Sequence, residues 1–130
     1  MGFSRVYRSF EARVLDKIRD WNGTALVDDH SIAELIRAVY RRVLQWIAMS
    51  ALPMPPAFRV YLQRLRGVKI GEGVFIGIDC YLDPTRPDLL TIGNWVSLAG
   101  RVTIFTHGEP TRPIREMLGD QSMKVAPVVI

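Results

Sequence analysis

The chain has 130 residues, of which 48% are hydrophobic and 23% are charged, and its formal net charge is +4. This composition is typical of one modest globular domain and excludes a polar, disordered chain. The single cysteine, Cys80, excludes an internal disulfide framework, and the sequence contains no Cys/His cluster with zinc-ligand spacing. We therefore expect a reducing, cytoplasmic compartment and no metal.

The sequence predicts neither a secretory signal nor a membrane span. Charged residues interrupt the first fifteen positions, whereas a signal peptide needs a continuous apolar core. The longest apolar stretch, 43–54, is broken by Gln45 and Ser50 and is shorter than the ~20 residues that cross a bilayer. We expect a protein that is neither exported nor embedded in a membrane.

The positive charge belongs to the first half of the chain. Residues 1–66 carry eleven Lys/Arg and six Asp/Glu, whereas residues 67–130 carry six and seven. Six arginines and no acidic residue lie between Leu35 and Val68: Arg37, Arg41, Arg42, Arg59, Arg64 and Arg66. This segment is either an ordinary solvated helix face or a surface that favours an anionic partner.

Helical periodicity dominates residues 1–66, which we predict to be an N-terminal helical segment. Apolar residues at spacings of three and four predict a helix over 3–21 and a second over 31–50, with Asp28, Asp29 and Ser31 as cap candidates. The second helix has a wide apolar stripe: Ile32, Leu35, Ile36, Val39, Tyr40, Val43, Leu44, Trp46 and Ile47. Prolines then end it, and 57–66 reads as a short basic helix closed by Gly67.

A period of six replaces the helical pattern after Gly67. Two sets of apolar anchors obey it: Ile70, Ile76 and Leu82, then Ile92, Leu98 and Ile104. The residues two places earlier repeat as well: Val68, Val74, Cys80, Leu90, Val96 and Val102. Small or turn-forming residues follow most anchors, which predicts short strands that turn a corner every six residues and close a triangular coil in three sides. The step from Leu82 to Ile92 is ten, so four residues within 84–88 form an outward loop.

This pattern resembles the hexapeptide-repeat acyltransferases, in particular their sugar and polysaccharide O-acetyltransferase branch. The most telling stretches are 67–77 and 90–107, and the resemblance covers 67–130. It implies an α+β chain in which N-terminal helices precede a partial left-handed parallel β-helix. It also implies acetyl-coenzyme A as donor, a sugar or polysaccharide hydroxyl as acceptor, and a homotrimer with substrate clefts between neighbouring β-helices.

His107 is the candidate catalytic residue. It follows Ile104, where the repeat breaks into a long excursion before Val128 and Ile130 resume the phase, and long loops out of regular scaffolds are commonly functional. Imidazole is suited to removing a proton from a hydroxyl at neutral pH. In the resembling enzymes a histidine in the corresponding excursion is that general base. One branch of the family carries its histidines where this chain has 111–113, so the donor is better indicated than the acceptor.

Asp83 is the second candidate, because it lies beside the inserted loop and could bind acceptor hydroxyls or orient His107. As a corner residue it is equally well explained by turn geometry. Cys80 at an inward position, His30 beside a helix cap and an outward Trp95 have structural explanations.

The sequence ends at Ile130 in a renewed repeat, so the pattern suggests a truncated β-helix. The resemblance then implies that the coenzyme A-binding residues lie beyond Ile130 and that the fragment alone is inactive. A rival interpretation is a non-catalytic trimerising module whose basic helices bind a protein partner or the anionic inner face of a membrane. Nucleic-acid binding is not expected, since no recognised motif is present.

Overall fold

Helices precede a set of very short strands. The computed structural model describes residues 10, 12–14, 31–108, 111–119 and 124–130, which form a mixed α+β structure as predicted. By contacts the chain divides into two compact units, Met1–Val39 and Tyr40–Ile130. Phe10 and residues 12–14 are helical, and the rest of the helix predicted over 3–21 lies outside the described residues, as does His30.

Helix α1, Ile32–Met49, matches the prediction over 31–50. Ser31 caps it, because its hydroxyl accepts a hydrogen bond from the Glu34 amide at 3.2 Å. At the other end, the Met49 carbonyl accepts a bond from the Asp79 amide at 2.9 Å. No described helix is long and apolar enough to cross a membrane.

The buried face of α1 differs from the apolar stripe read from the sequence. Leu44, Gln45 and Ala48 are its buried residues. Much of the stripe is exposed instead: Ile36, Val39, Tyr40, Val43 and Trp46. Gln45, a polar residue, lies on the inner side of α1 and is held there by hydrogen bonds with the Cys80 carbonyl and with the side chains of Gln63 and Arg66.

Helix α2, Pro56–Arg66, also lies where the sequence places it. Proline starts it, and Gly67 ends it in the left-handed conformation with φ 107°. The Val68 amide donates to the Gln63 carbonyl at 3.2 Å, which completes the cap. Leu62 of α2 packs on Leu44 and Ala48 of α1 in a small apolar cluster.

Six strands of two or three residues occupy the segment with the six-residue period. They are β1 (Lys69–Ile70), β2 (Phe75–Ile76), β3 (Tyr81–Leu82), β4 (Leu90–Ile92), β5 (Ser97–Leu98) and β6 (Thr103–Ile104). Each of the first three pairs in parallel with the strand three places later: Ile70 with Ile92, Ile76 with Leu98, and Leu82 with Ile104. The predicted short parallel strands are therefore confirmed.

The anchors of the repeat form the main core. Ile76, Leu82, Ile92 and Leu98 are buried, and Ile70 and Ile104 pack against them half-buried. Cys80 is buried in the same cluster, as its inward position predicted. The six-residue period therefore correctly predicts which side chains face inward.

The corners show a regularity that the sequence does not reveal. The third residue after an anchor adopts a left-handed backbone at four corners: Gly73, Asp79, Trp95 and Arg101, with φ of 65°, 59°, 60° and 65°. The glycine directly after an anchor has another reason to be small. A Cβ on Gly77 would lie 2.6 Å from the Gly100 amide nitrogen in the paired round, so close approach of the two backbones demands glycine there.

Two insertions interrupt the repeat. The first contains a 3₁₀ turn, Pro87–Leu89. The second leaves after β6 through β7 (His107–Gly108), includes helix α3 (Arg112–Leu118), and returns through β8 (Lys124–Val125), which is antiparallel to β7. Strand β9, Val128–Val129, then pairs with β4 in parallel, Leu90 opposite Val128. The predicted return of the phase at Val128 is confirmed.

Replacing Ile76 by Asp should unfold this core. Ile76 is 1% exposed, and a carboxylate without a partner there costs several kcal/mol against a total stability of ~5–15 kcal/mol. Phe75→Asp, on the neighbouring 44% exposed residue, is the matched control and should cost far less. Urea denaturation compares the two variants, and equal losses would contradict the assigned direction of Ile76.

Candidate functional site

Asp83 and His107, the two residues singled out from the sequence, are in direct contact. His107 Nδ1 lies 2.6 Å from Asp83 Oδ2, although 24 positions separate them in the chain. The pairing of β3 with β6 brings them together, because Asp83 follows Leu82 and His107 lies three residues after Ile104. The Asp83 side chain is fully buried, and the His107 side chain is 12% exposed.

Both oxygens of the Asp83 carboxylate accept hydrogen bonds. Oδ1 accepts bonds from the Thr85 and Arg86 amides at 2.8 and 2.9 Å, which fix the turn that opens the first insertion. Oδ2 accepts bonds from the Thr106 amide at 2.7 Å and the Thr106 hydroxyl at 2.6 Å, beside the contact with His107. Asp83 is therefore both a turn residue and the partner of His107.

These bonds keep Asp83 ionised. Burial by itself would raise the pKa of Asp83, but the hydrogen bonds from Arg86, Thr106 and His107 outweigh it and hold the pKa well below the usual carboxyl range. An ionised carboxylate only accepts hydrogen bonds, so the proton in the contact belongs to His107 Nδ1. In the neutral form of the ring, Nε2 then carries the lone pair, which is the form a general base needs.

The second insertion begins at His107, and its backbone is anchored on both sides. Opposite it in the β7–β8 pair is Val125, and the Ala126 amide donates to the Thr106 carbonyl at 2.9 Å. The end of the second insertion therefore pairs with the backbone at His107, where the insertion begins. His107 lies on a paired strand rather than in an unsupported loop, which limits the movement of its ring.

Arg66 joins the end of α2 to the same corner. Its guanidinium is buried and donates to the carbonyls of Arg41, Leu82 and Asp83 at 3.1, 3.2 and 2.7 Å. Its remaining donors bind the side-chain oxygens of Gln45 and Gln63. All five N–H groups are thus used. Burial lowers the pKa of Arg66 to about 10, opposed by attraction to Asp83, so the group remains a cation at neutral pH.

The basic segment between Leu35 and Val68 is in large part structural. Besides Arg66, Arg59 is buried and donates to the carbonyls of Ser50 and Leu52 at 2.9 and 3.3 Å. Arg64 donates to the carbonyls of Ile70 and Gly71, the latter at 2.6 Å. Half of the six arginines therefore hold backbone carbonyls, and because Arg59 and Arg66 are buried, less charge reaches the surface than the sequence alone suggests.

Sequence reasoning found the pair at the centre of the site but missed its surroundings. Thr106 contributes two hydrogen-bond donors and Arg66 binds backbone carbonyls, yet neither residue belongs to a recognisable sequence motif. The sequence signal that could have identified Thr106 is its position, as a polar residue, directly before His107. Of the remaining candidates, Trp95 is exposed at a corner as expected, and in the described ranges no group of three or more His, Cys, Asp or Glu side chains could hold a metal ion.

Comparisons of the chain with protein families, with curated proteins and with solved structures gave no match. The functional interpretation of the site therefore depends on its geometry and on the repeat pattern of the sequence.

Replacing Asp83 by Asn should destabilise the chain in a pH-dependent manner. The amide nitrogen would face either the Thr106 or the Arg86 donor, and each buried polar group left unsatisfied costs about 1–3 kcal/mol. The folded-state pKa of Asp83 lies below the unfolded value of ~3.9, so its ionised form contributes full stability above that pH and loses it as the pH falls.

The difference in the free energy of unfolding between the native and Asp83→Asn proteins should therefore be large at pH 7 and should decrease below about pH 4. Urea denaturation across pH measures it. Asp88→Asn is the control in the same loop, because Asp88 makes an exposed ion pair with Arg86 that contributes ~1 kcal/mol at most. An Asp83→Asn protein as stable as the native one at pH 7 would contradict the assigned role of the carboxylate.

Proposed function

We propose that the chain is a hexapeptide-repeat O-acyltransferase, whose short strands form a left-handed parallel β-helix. The enzyme transfers an acetyl group from acetyl-coenzyme A to a hydroxyl of a sugar or polysaccharide precursor. His107 is the general base and Asp83 orients it. The observation that carries the proposal is the 2.6 Å contact between these two side chains at the point where the second insertion leaves the repeat.

The strand register supports the β-helical part of the proposal. Ile70, Ile76 and Leu82 each pair with a residue 22 positions later. Three sides of six residues account for 18 of these positions, and the four-residue insertion after Leu82 accounts for the rest. One coil of a triangular solenoid with this insertion requires that spacing, and the pairing of β4 with β9 adds the start of another coil.

The proposed reaction is direct transfer. Nε2 of His107 takes the proton of the acceptor hydroxyl, and the oxygen attacks the thioester carbonyl of acetyl-coenzyme A. The tetrahedral oxyanion collapses, the C–S bond breaks, and the imidazolium returns its proton to the coenzyme A thiolate. The products are the acetyl ester and coenzyme A with its thiol protonated.

Asp83 supports both halves of this cycle. Its bond to Nδ1 selects the tautomer with the lone pair on Nε2, and its negative charge stabilises the imidazolium that forms. Because hydrogen bonds from Arg86 and Thr106 also hold the pKa of Asp83 low, the carboxylate does not take the proton itself. Both of its oxygens are occupied by protein donors, which favours positioning over direct contact with the acceptor.

Replacing His107 by Ala in the full gene product should lower turnover by about 10²–10⁴-fold and leave acetyl-coenzyme A binding nearly unchanged. The loss should lie in kcat. A general base acts only in its unprotonated form, so activity of the native enzyme should fall toward acidic pH, and this dependence should be absent from the variant. Thiol release from acetyl-coenzyme A measures turnover, with methyl glycopyranosides as acceptors.

His30→Ala is the matched control, because it removes the only other histidine of the chain and should retain native activity. A folded His107→Ala protein that acetylates at the native rate would remove His107 from the mechanism. Loss of acetyl-coenzyme A binding in the variant would instead indicate that the histidine belongs to the donor site.

A further inference from the structure

Three aromatic rings form a row that ends at the proposed base. The centroids of Tyr81 and Phe105 are 5.5 Å apart with planes at 56°, and those of Phe105 and His107 are 6.3 Å apart with planes at 89°. Both separations fall in the range of favourable aromatic pairs. Phe105 therefore has a ring neighbour on each side and a restricted orientation.

The alternation of the chain turns Phe105 outward. Its neighbours Ile104 and Thr106 pack inward, the first against the apolar core and the second on Asp83. Phe105 itself is 54% exposed. Single exposed apolar residues are common and need no explanation. What distinguishes Phe105 is that its exposed ring contacts both the imidazole of His107 and the ring of Tyr81.

We propose that Phe105 is the platform on which the acceptor's sugar ring stacks. This inference rests on the proposed function and names the part of the site that receives the acceptor. A pyranose has C–H groups on its faces and hydroxyls at its edge. Stacking one face on Phe105 buries apolar surface on both partners and leaves the hydroxyl edge directed along the surface toward His107.

The position next to the base favours the acceptor over the donor as the occupant. The hydroxyl that reacts must come within about 2.6–3.2 Å of the imidazole, so the ring carrying it must lie beside His107. In acetyl-coenzyme A the flat adenine is separated from the acetyl group by the long pantetheine arm. An adenine stacked beside His107 would therefore be far from the reacting thioester.

Ligand-observed NMR titrations of the full gene product test the platform without requiring turnover. The probes are the methyl glycopyranosides of glucose, galactose and mannose, with sorbitol as a control that has similar hydroxyls but no ring face. Phe105→Ala should weaken binding of at least one glycoside about 3- to 10-fold, as expected for loss of an aromatic contact. Phe105→Tyr, which keeps an aromatic ring, should bind that glycoside as the native protein does. Neither variant should change the affinity for acetyl-coenzyme A.

Phe75→Ala is the matched control, since Phe75 is an outward phenylalanine of β2 with 44% exposure, and it should leave glycoside binding intact. Turnover of His107→Ala tests the proposed base, whereas glycoside binding by the Phe105 variants tests the platform, so the two failures are distinguishable. The proposal is overturned if the native protein binds none of the three glycosides, if sorbitol binds as tightly, or if Phe105→Ala weakens only acetyl-coenzyme A.

Discussion

The buried carboxylate of Asp83 is the constraint on which the site depends. It accepts hydrogen bonds from the turn of the first insertion and from the start of the second, so one side chain fixes where both loops leave the strands. A buried charge is tolerated only when donors replace its water, and here amides, a hydroxyl and an imidazole do so. The same bonds that stabilise the fold therefore set the tautomer of His107.

Arginines connect the helices to this arrangement by binding carbonyl oxygens rather than carboxylates. Arg66 is the main case, because its guanidinium donates hydrogen bonds to the Asp83 carbonyl and to the side-chain oxygens of Gln45 and Gln63. Removing a donor of this kind leaves several buried acceptors unsatisfied, so the C-terminal part of α1, helix α2 and the first round of strands are energetically coupled. This explains why a basic sequence need not imply a basic binding surface.

The strands were predictable because a six-residue repeat imposes the same inward position on each anchor, from Ile70 to Ile104. The sequence left three roles open for Asp83, namely binding acceptor hydroxyls, orienting His107 and forming a turn, because its distance from His107 depends on the 22-residue register. The inward position of Gln45 on α1 was not predictable, because its hydrogen-bond partners, the Cys80 carbonyl and Arg66, are remote in sequence. Nor were the left-handed corners at Trp95 and Arg101, whose side chains give no sign of a positive φ.

The central claim is that Asp83 holds a proton on His107 Nδ1 and leaves the lone pair on Nε2. Nitrogen-15 NMR of the imidazoles at a pH where they are neutral tests it directly, with His107→Ala assigning the signals of the two histidines. The account predicts that His107 has a protonated, hydrogen-bonded Nδ1 and an unprotonated Nε2, and that Asp83→Asn abolishes this preference. A native His107 that carries its proton on Nε2, or whose tautomer is indifferent to Asp83→Asn, would contradict the account.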